Sequence, residues 1–307
     1  MSVEIQQTDS ACANSLFDAV VIGGGPAGAS CAVWLARLGF SVTLLDADDG
    51  IGGLCRRNPF RDDWNVSLPG MTGPQVAANL ALSLKQAGVP VRLSCPVSRI
   101  ERSGSWFDVY GQALADPLRA RFVVIATGVR ARGVSGFTPA NAPAGLLIGP
   151  GEGVVAQSFQ NKRVAVLGGG DNAFENALYA LDHGAAQVTV FARTVRAQAQ
   201  FVQRFPADQV VGGSYCLDAS GLRVNGQAFD LIMVFYGWEP CAPFADTLGL
   251  LRTEKGFLAT HPKTAETSCS GVYAVGEVAQ RQHPCVVTAM ADGVAAAKAI
   301  QARLEAR

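Results

Sequence analysis

The 307 residues are 49% apolar and 16% charged, enough to build a large core and too few charges for a disordered chain. The 25 basic and 25 acidic residues cancel to a formal charge of zero with no dense Lys/Arg block, which argues against nucleic acid or an anionic membrane as partner. No apolar run reaches the ~18 residues that span a bilayer; a cytoplasmic protein with room for two domains is expected.

Met1 to Ser15 is polar, without a basic or apolar signal region, and is expected to be a loose leader. Phe17–Ile22 then predicts a strand, Gly23-Gly24-Gly25-Pro26-Ala27-Gly28 a glycine turn, Pro26–Leu38 a helix ended by Gly39, and Ser41–Leu45 a second strand closing on Asp46. In this setting glycines permit a tight turn and let the backbone approach a pyrophosphate, whose charge suits the helix N-terminus. Asp46 follows Gly28 by 46 − 28 = 18 residues, near the ~20 expected of a carboxylate that holds a ribose hydroxyl. Asp48–Gly73 is expected to be loop, Pro74–Ala87 a helix ended by Gly88, and Val89–Leu93 a strand. A meander is expected over Val97–Arg102, Trp106–Tyr110 and Leu118–Ala120, followed by a separate buried strand, Phe122–Ala126, ending in Thr127-Gly128.

The residues from Arg130 to Gly153 are rich in Gly, Pro and Ala and suggest a linker. The first pattern then recurs: Arg163–Leu167 predicts a strand, Gly168-Gly169-Gly170-Asp171-Asn172-Ala173 a glycine turn, about Asn172 to His183 a helix, and Gln187–Phe191 a strand. One such turn is weak evidence. Two copies, each between strand and helix, predict two nucleotide-type folds in one chain. A short β stretch over Val210–Phe229, a buried strand over Asp230–Phe235, a last strand from Gly271 to Glu277 with an acidic end, and a helix over Val287–Leu304 complete the pattern.

Eight cysteines stand at 12, 31, 55, 95, 216, 241, 269 and 285, the closest two separated by 285 − 269 = 16 positions. CxxC redox and zinc-knuckle spacings are both absent, so no metal site is expected and most of these thiols read as small buried packing residues.

The order of two glycine turns, a meander, Ala126-Thr127-Gly128 and Gly271-Val272-Tyr273-Ala274-Val275-Gly276-Glu277 resembles the low-molecular-weight thioredoxin reductase-like flavoproteins, from about Phe17 to Leu304. The resemblance implies an α/β fold of two Rossmann-like domains with three-layer ββα architecture: 1–131 plus 241–307 binding FAD, and 132–240 resembling an NAD(P)-binding domain. It implies that Gly23, Gly25, Pro26, Ala27 and Gly28 meet the FAD pyrophosphate and Asp46 the adenosine ribose. Gly53 would lie by the dinucleotide, the backbone at Val97 would meet adenine, Thr127 and Gly128 would border the dinucleotide, and Gly276 and Glu277 the pyrophosphate–ribityl region. The family usually has Asp where Glu277 stands. A second nucleotide, NADPH or another, would rest on Gly168, Gly170, Asp171, Asn172 and Arg193. A homodimer, and thioredoxin, ferredoxin or a small molecule as redox partner, are further implications.

The chain departs from that family at three places. Gly151-Glu152-Gly153-Val154 occupies the stretch where a thioredoxin reductase carries CxxC, and a dithiol needs two Cα atoms within ~7 Å. Of the arginines that grip an NADPH 2′-phosphate, Arg193 matches, Arg196 is displaced and Ala192 replaces another. Gly52-Gly53-Leu54-Cys55 echoes the glutathione reductase motif without its second cysteine. Cys55 and Cys285 could therefore form a long-range pair with His283 as proton shuttle, or be ordinary packing and loop residues. Trp64, Phe60 and Trp238 would shield the flavin, stack on a substrate ring or pack in the core. The expectation is an FAD-dependent oxidoreductase that reduces a disulfide or another small acceptor. The alternatives are a ferredoxin- or quinone-type NAD(P)H reductase without a protein thiol, and a non-enzymatic flavin-binding redox sensor.

Overall fold

A computed structural model describes residues 16–134 and 136–306; the expected leader and Cys12 lie outside the described residues. Two compact units form, one from the residues up to Val129 together with those from Pro240 onward, the other from Arg130–Glu239.

In the first unit, Leu16–Ile22 lies parallel between Val42–Leu45 and Leu118–Ile125, and Val272–Ala274 pairs parallel to Leu118–Ile125. Val42–Leu45 is buried throughout, as a parallel strand covered on both faces requires. Helices Pro26–Arg37, Gly73–Gln86 and Val286–Glu305 cover one face, where Val21, Leu35, Leu84, Tyr273 and Ile300 share a core. The other face packs against the antiparallel strands Val97–Ser103 and Trp106–Gly111 through Ile100, Phe107 and Val109.

The second unit repeats this plan. Leu146–Ile148, Leu231–Val234, Arg163–Leu167, Gln187–Ala192 and Val210–Gly212 form a parallel sheet in that spatial order. Helix Asp171–Asp182 buries Phe174 and Ala177 on one face. Three short antiparallel strands, Leu217–Asp218, Arg223–Val224 and Gln227–Ala228, belong to the opposite layer, whose core holds Phe191, Val224 and Phe229. Each unit is thus a helix layer, a parallel sheet and a β layer.

Three expectations are corrected. Leu118–Ala120 and Phe122–Ala126 are one strand, Leu118–Ile125; its outer half pairs with the meander while its inner half is buried between parallel neighbours, so its apolar pattern changes without a break. The stretch 130–153 is not a bare linker: Leu146–Ile148 is a strand at one end of the second sheet, and Glu152–Val155 a turn of helix. Glu277 does not end a strand. The strand stops at Ala274, and Gly276, at φ +72°, turns the chain into a 3-10 turn over Gly276–Val278 that contains Glu277.

Candidate functional site

The glycines of the first turn do different work. A Cβ on Gly23 would stand 2.4 Å from the Ala126 carbonyl oxygen, and one on Gly28 would stand 1.9 Å from that of Gly23. These two allow backbone to pack on backbone. Gly25 differs: nothing lies within 4 Å of where its Cβ would be. It is the N-cap of helix Pro26–Arg37 with no side-chain cap, and Pro26 sits at a position whose N–H has no partner within the helix. The opening amides of this helix therefore lack a capping side chain beside open space, which is the anion-binding arrangement of a helix N-terminus. Ala27, buried, begins the packed side of the same turn.

Asp46 holds this turn in shape. Its Oδ2 accepts the Gly24 N–H at 2.5 Å and its Oδ1 accepts the Asp48 N–H at 2.8 Å. Burial pushes the carboxyl up, against the opposing effect of these two amides. Gly52 donates its N–H to the Gly24 carbonyl at 3.0 Å, which brings Gly53, at φ +53°, to 3.4 Å from the Gly25 Cα by its would-be Cβ. Val97 is half-buried at the start of its strand, where the register shifts between Val97 and Arg99. The Thr127 hydroxyl donates to the Cys241 carbonyl, and Cys241 N–H donates to the Gly128 carbonyl at 3.1 Å. These bonds pin the returning chain to the end of the central strand.

Gly276 packs directly on the first turn, its would-be Cβ 2.8 Å from that of Ala27. Its N–H donates to Asp292 Oδ2 at 3.3 Å, and Asp292 Oδ1 meets Arg281 at 3.0 Å with both side chains under a tenth exposed. Burial also pushes the Glu277 carboxyl up. The sequence patterns did not single out Arg281 and Asp292, because a pair 11 residues apart shows no periodic signal until the helix N-terminus is folded back.

The thiols are placed as follows. Cys55 lies half-buried in the 3-10 turn Gly53–Arg57, and burial, then the charges of Glu277 and Asp62, push its thiol up to about 11. Cys285 is exposed and caps helix Val286–Glu305, its Sγ accepting the Thr288 N–H at 3.5 Å. Thr288 in turn donates its hydroxyl to the His283 carbonyl at 2.6 Å. His283 and Cys285 line a small recess with Gly276, Glu277 and Arg281. Cys55 and Cys285 are both free. Trp64 is 72% exposed, so it is not a core residue, while Phe60 is half-buried.

The second turn repeats the first. A Cβ on Gly168 would stand 2.5 Å from the Phe235 carbonyl oxygen and one on Gly169 2.0 Å from that of Thr194, while Gly170 has nothing within 4 Å and N-caps helix Asp171–Asp182 without a side-chain cap. Gly170, Asp171, Asn172, Arg193 and Trp238 line a cavity of about 540 Å³. Asp171 accepts the backbone and side-chain amides of Gln198 at 2.7 and 2.9 Å. The same cavity exposes Tyr215 and Tyr236, whose hydroxyls lie 3.0 Å apart. Both follow strand ends at the carboxyl edge of the sheet, where ligands of open α/β sheets bind; that position is the signal by which they could have been found.

Comparison with known proteins agrees with this geometry. Residues 21–79 match the model of the NAD(P)-binding Rossmann-like domain. The chain is 25% identical to the thioredoxin reductase of Bacillus subtilis (strain 168), over 94% of this chain and 95% of that one. The Lactococcus lactis thioredoxin reductase in its FR conformation superposes with a TM-score of 0.78 at 26% identity, covering 95% and 100% of the two chains. The chain is a thioredoxin reductase-like, flavin-dependent oxidoreductase. It is also 28% identical to the ferredoxin–NADP reductase of Acidiphilium cryptum (strain JF-5), over 86% of this chain and 84% of that one. Among the described residues of this thioredoxin reductase-like chain, no helix is long and apolar enough to cross a membrane, and no group of three or more His, Cys, Asp or Glu could hold a metal ion.

Proposed function

We propose that the first unit holds FAD, the second a nicotinamide-type or other dinucleotide, and that the enzyme passes electrons to a disulfide or another small acceptor without a CxxC of its own. The observation that carries this reading is the pairing of Gly25 with Gly170: in both units the third glycine faces open space at an uncapped helix N-terminus, so both turns fit a pyrophosphate. Bound flavin supplies the electron-transfer chemistry, and the protein supplies orientation and electrostatics. Gly25 and the first-turn amides would receive the pyrophosphate. Asp46, with both oxygens already on backbone amides, keeps lone pairs for a ribose hydroxyl. Glu277, displaced by burial toward its protonated form, would meet the ribityl hydroxyls. A homodimer, a cytoplasmic setting, and thioredoxin or ferredoxin as partner belong to the same proposal.

One observation favours a second reading, a ferredoxin- or quinone-type reductase that uses no protein thiol. Cys55, the cysteine of the glutathione reductase-like motif, is held as a neutral thiol by burial and two carboxylates, whereas thiol–disulfide exchange needs a thiolate. The test is direct. Heating the purified protein should release one FAD per chain; a colourless protein that takes up no FAD overturns both readings. Anaerobic NADPH or NADH bleaching the flavin identifies a nicotinamide donor, and bleaching by reduced ferredoxin alone identifies the other.

A further inference from the structure

We propose that Cys285 reacts with a small hydroperoxide, whose terminal oxygen is held by Arg281 in the recess the two residues share. The sulfur stands at the N-cap of helix Val286–Glu305 and accepts the Thr288 N–H at 3.5 Å. The Thr288 hydroxyl lies 3.3 Å from the same sulfur, and its one proton is already claimed by the His283 and Cys285 carbonyls at 2.6 and 3.1 Å. The hydroxyl oxygen therefore accepts the S–H proton rather than donating to sulfur. An amide donor and a proton acceptor together fix where the sulfur points, while the residue stays exposed.

A second observation, independent of the thiol, lies in the recess itself. Arg281 spends one terminal nitrogen on Asp292 at 3.0 Å and the other on the Pro262 carbonyl, and its side chain is 8% exposed. Its Nε is buried with no partner. An unpaired buried donor is costly, and a ligand acceptor removes that cost. The recess that Arg281 lines with Cys285 and His283 measures about 10 Å³, room for one water-sized oxygen. Neither a disulfide nor a phosphate enters it. Glu277 and Asp292 also line it, which disfavours an anion and suits a neutral group that both accepts and donates. The terminal O–H of a hydroperoxide is such a group.

Sulfur attacks that oxygen, so that an S–O bond forms as the O–O bond breaks. Cys285 is oxidised by two electrons to a sulfenic acid. The peroxide is reduced to water or an alcohol, which takes up the proton that sulfur released. A small thiol then condenses with the sulfenic acid, with loss of water, to give a disulfide.

Limiting hydrogen peroxide added to the protein as purified, with dimedone present to trap sulfenic acid and mass spectrometry of the peptides, tests this. Cys216, also exposed and free, caps no helix and is the internal reference. Cys285 should be trapped about tenfold or more faster than Cys216, the worth of one bond to a charged group. Arg281→Lys, which keeps a cation beside Asp292 and removes Nε, should bring the two rates together; Arg281→Met/Asp292→Leu serves if that variant fails to fold. Iodoacetamide carries no peroxide oxygen, so it should alkylate Cys285 at an unchanged rate in either variant. Equal wild-type trapping at the two cysteines, or an excess at Cys285 that survives the loss of Nε, overturns the proposal. So does a parallel fall in alkylation, which would leave Arg281 a structural role only.

Discussion

Asp46 ties the end of the second strand to the middle of the first glycine turn, accepting the Gly24 N–H at 2.5 Å. The turn that would cradle a pyrophosphate is thus shaped by a side chain more than 20 residues away in the chain. Asp46→Ala leaves two amides without that acceptor. A hydrogen bond to a charged group contributes about 1.5–3 kcal/mol, so chemical denaturation should show a loss of that order, with lower FAD content. Unchanged stability and full flavin would remove Asp46 from this role.

Gly25 and Gly28 should separate binding from folding. Gly28→Ala drives a methyl to 1.9 Å from the Gly23 carbonyl oxygen and should lower the melting temperature of flavin-free protein. Gly25→Ala meets nothing within 4 Å, so flavin-free protein should melt within a degree or two of wild type while FAD retention falls. If Gly25→Ala keeps its flavin, the open side of the turn does not face the cofactor.

Cys55 sets a pH dependence. Its thiol is raised from 9.0 to about 11, so the unfolded chain releases this proton before the folded chain does. The favourable contribution is full below pH 9.0 and is lost as pH rises through about 11. Wild type should therefore lose stability relative to Cys55→Ala across that interval. At pH 9, iodoacetamide should modify the exposed Cys285 well ahead of Cys55, whose thiolate fraction is cut roughly fiftyfold by a shift of this size. Mass spectrometry of the alkylated peptides gives the order.

Arg281 and Asp292 form a buried pair at 3.0 Å that also holds the Gly276 amide. Removing one partner strands a buried charge, at about 3–5 kcal/mol. Asp292→Ala should show that loss in urea unfolding, and Arg281→Met/Asp292→Leu should recover much of it. A double variant no better than the single one would assign the effect to the Gly276 contact.

Much of the fold was legible because its signals are local. Apolar runs at Ala19–Ile22 and Val164–Leu167, each closed by three glycines, need no distant information to predict strand, turn and helix. Leu146–Ile148 was hidden inside a Gly- and Pro-rich stretch, because three residues carry no periodicity and only pairing with Leu231–Val234 makes them a strand. Glu277 was misplaced by one turn for a related reason: an apolar run does not mark where a glycine at positive φ ends it.

The amino-acid order by itself determined two glycine turns in two strand–helix units and cysteines too far apart for a CxxC, since these depend only on neighbours along the chain. Tertiary structure decided which glycine of each turn faces open space, that Arg281 closes on Asp292, and that Tyr215 meets Tyr236 across a cavity. Those contacts depend on which strands lie side by side. That order is set by packing both faces of each sheet, and no local stretch of residues encodes it.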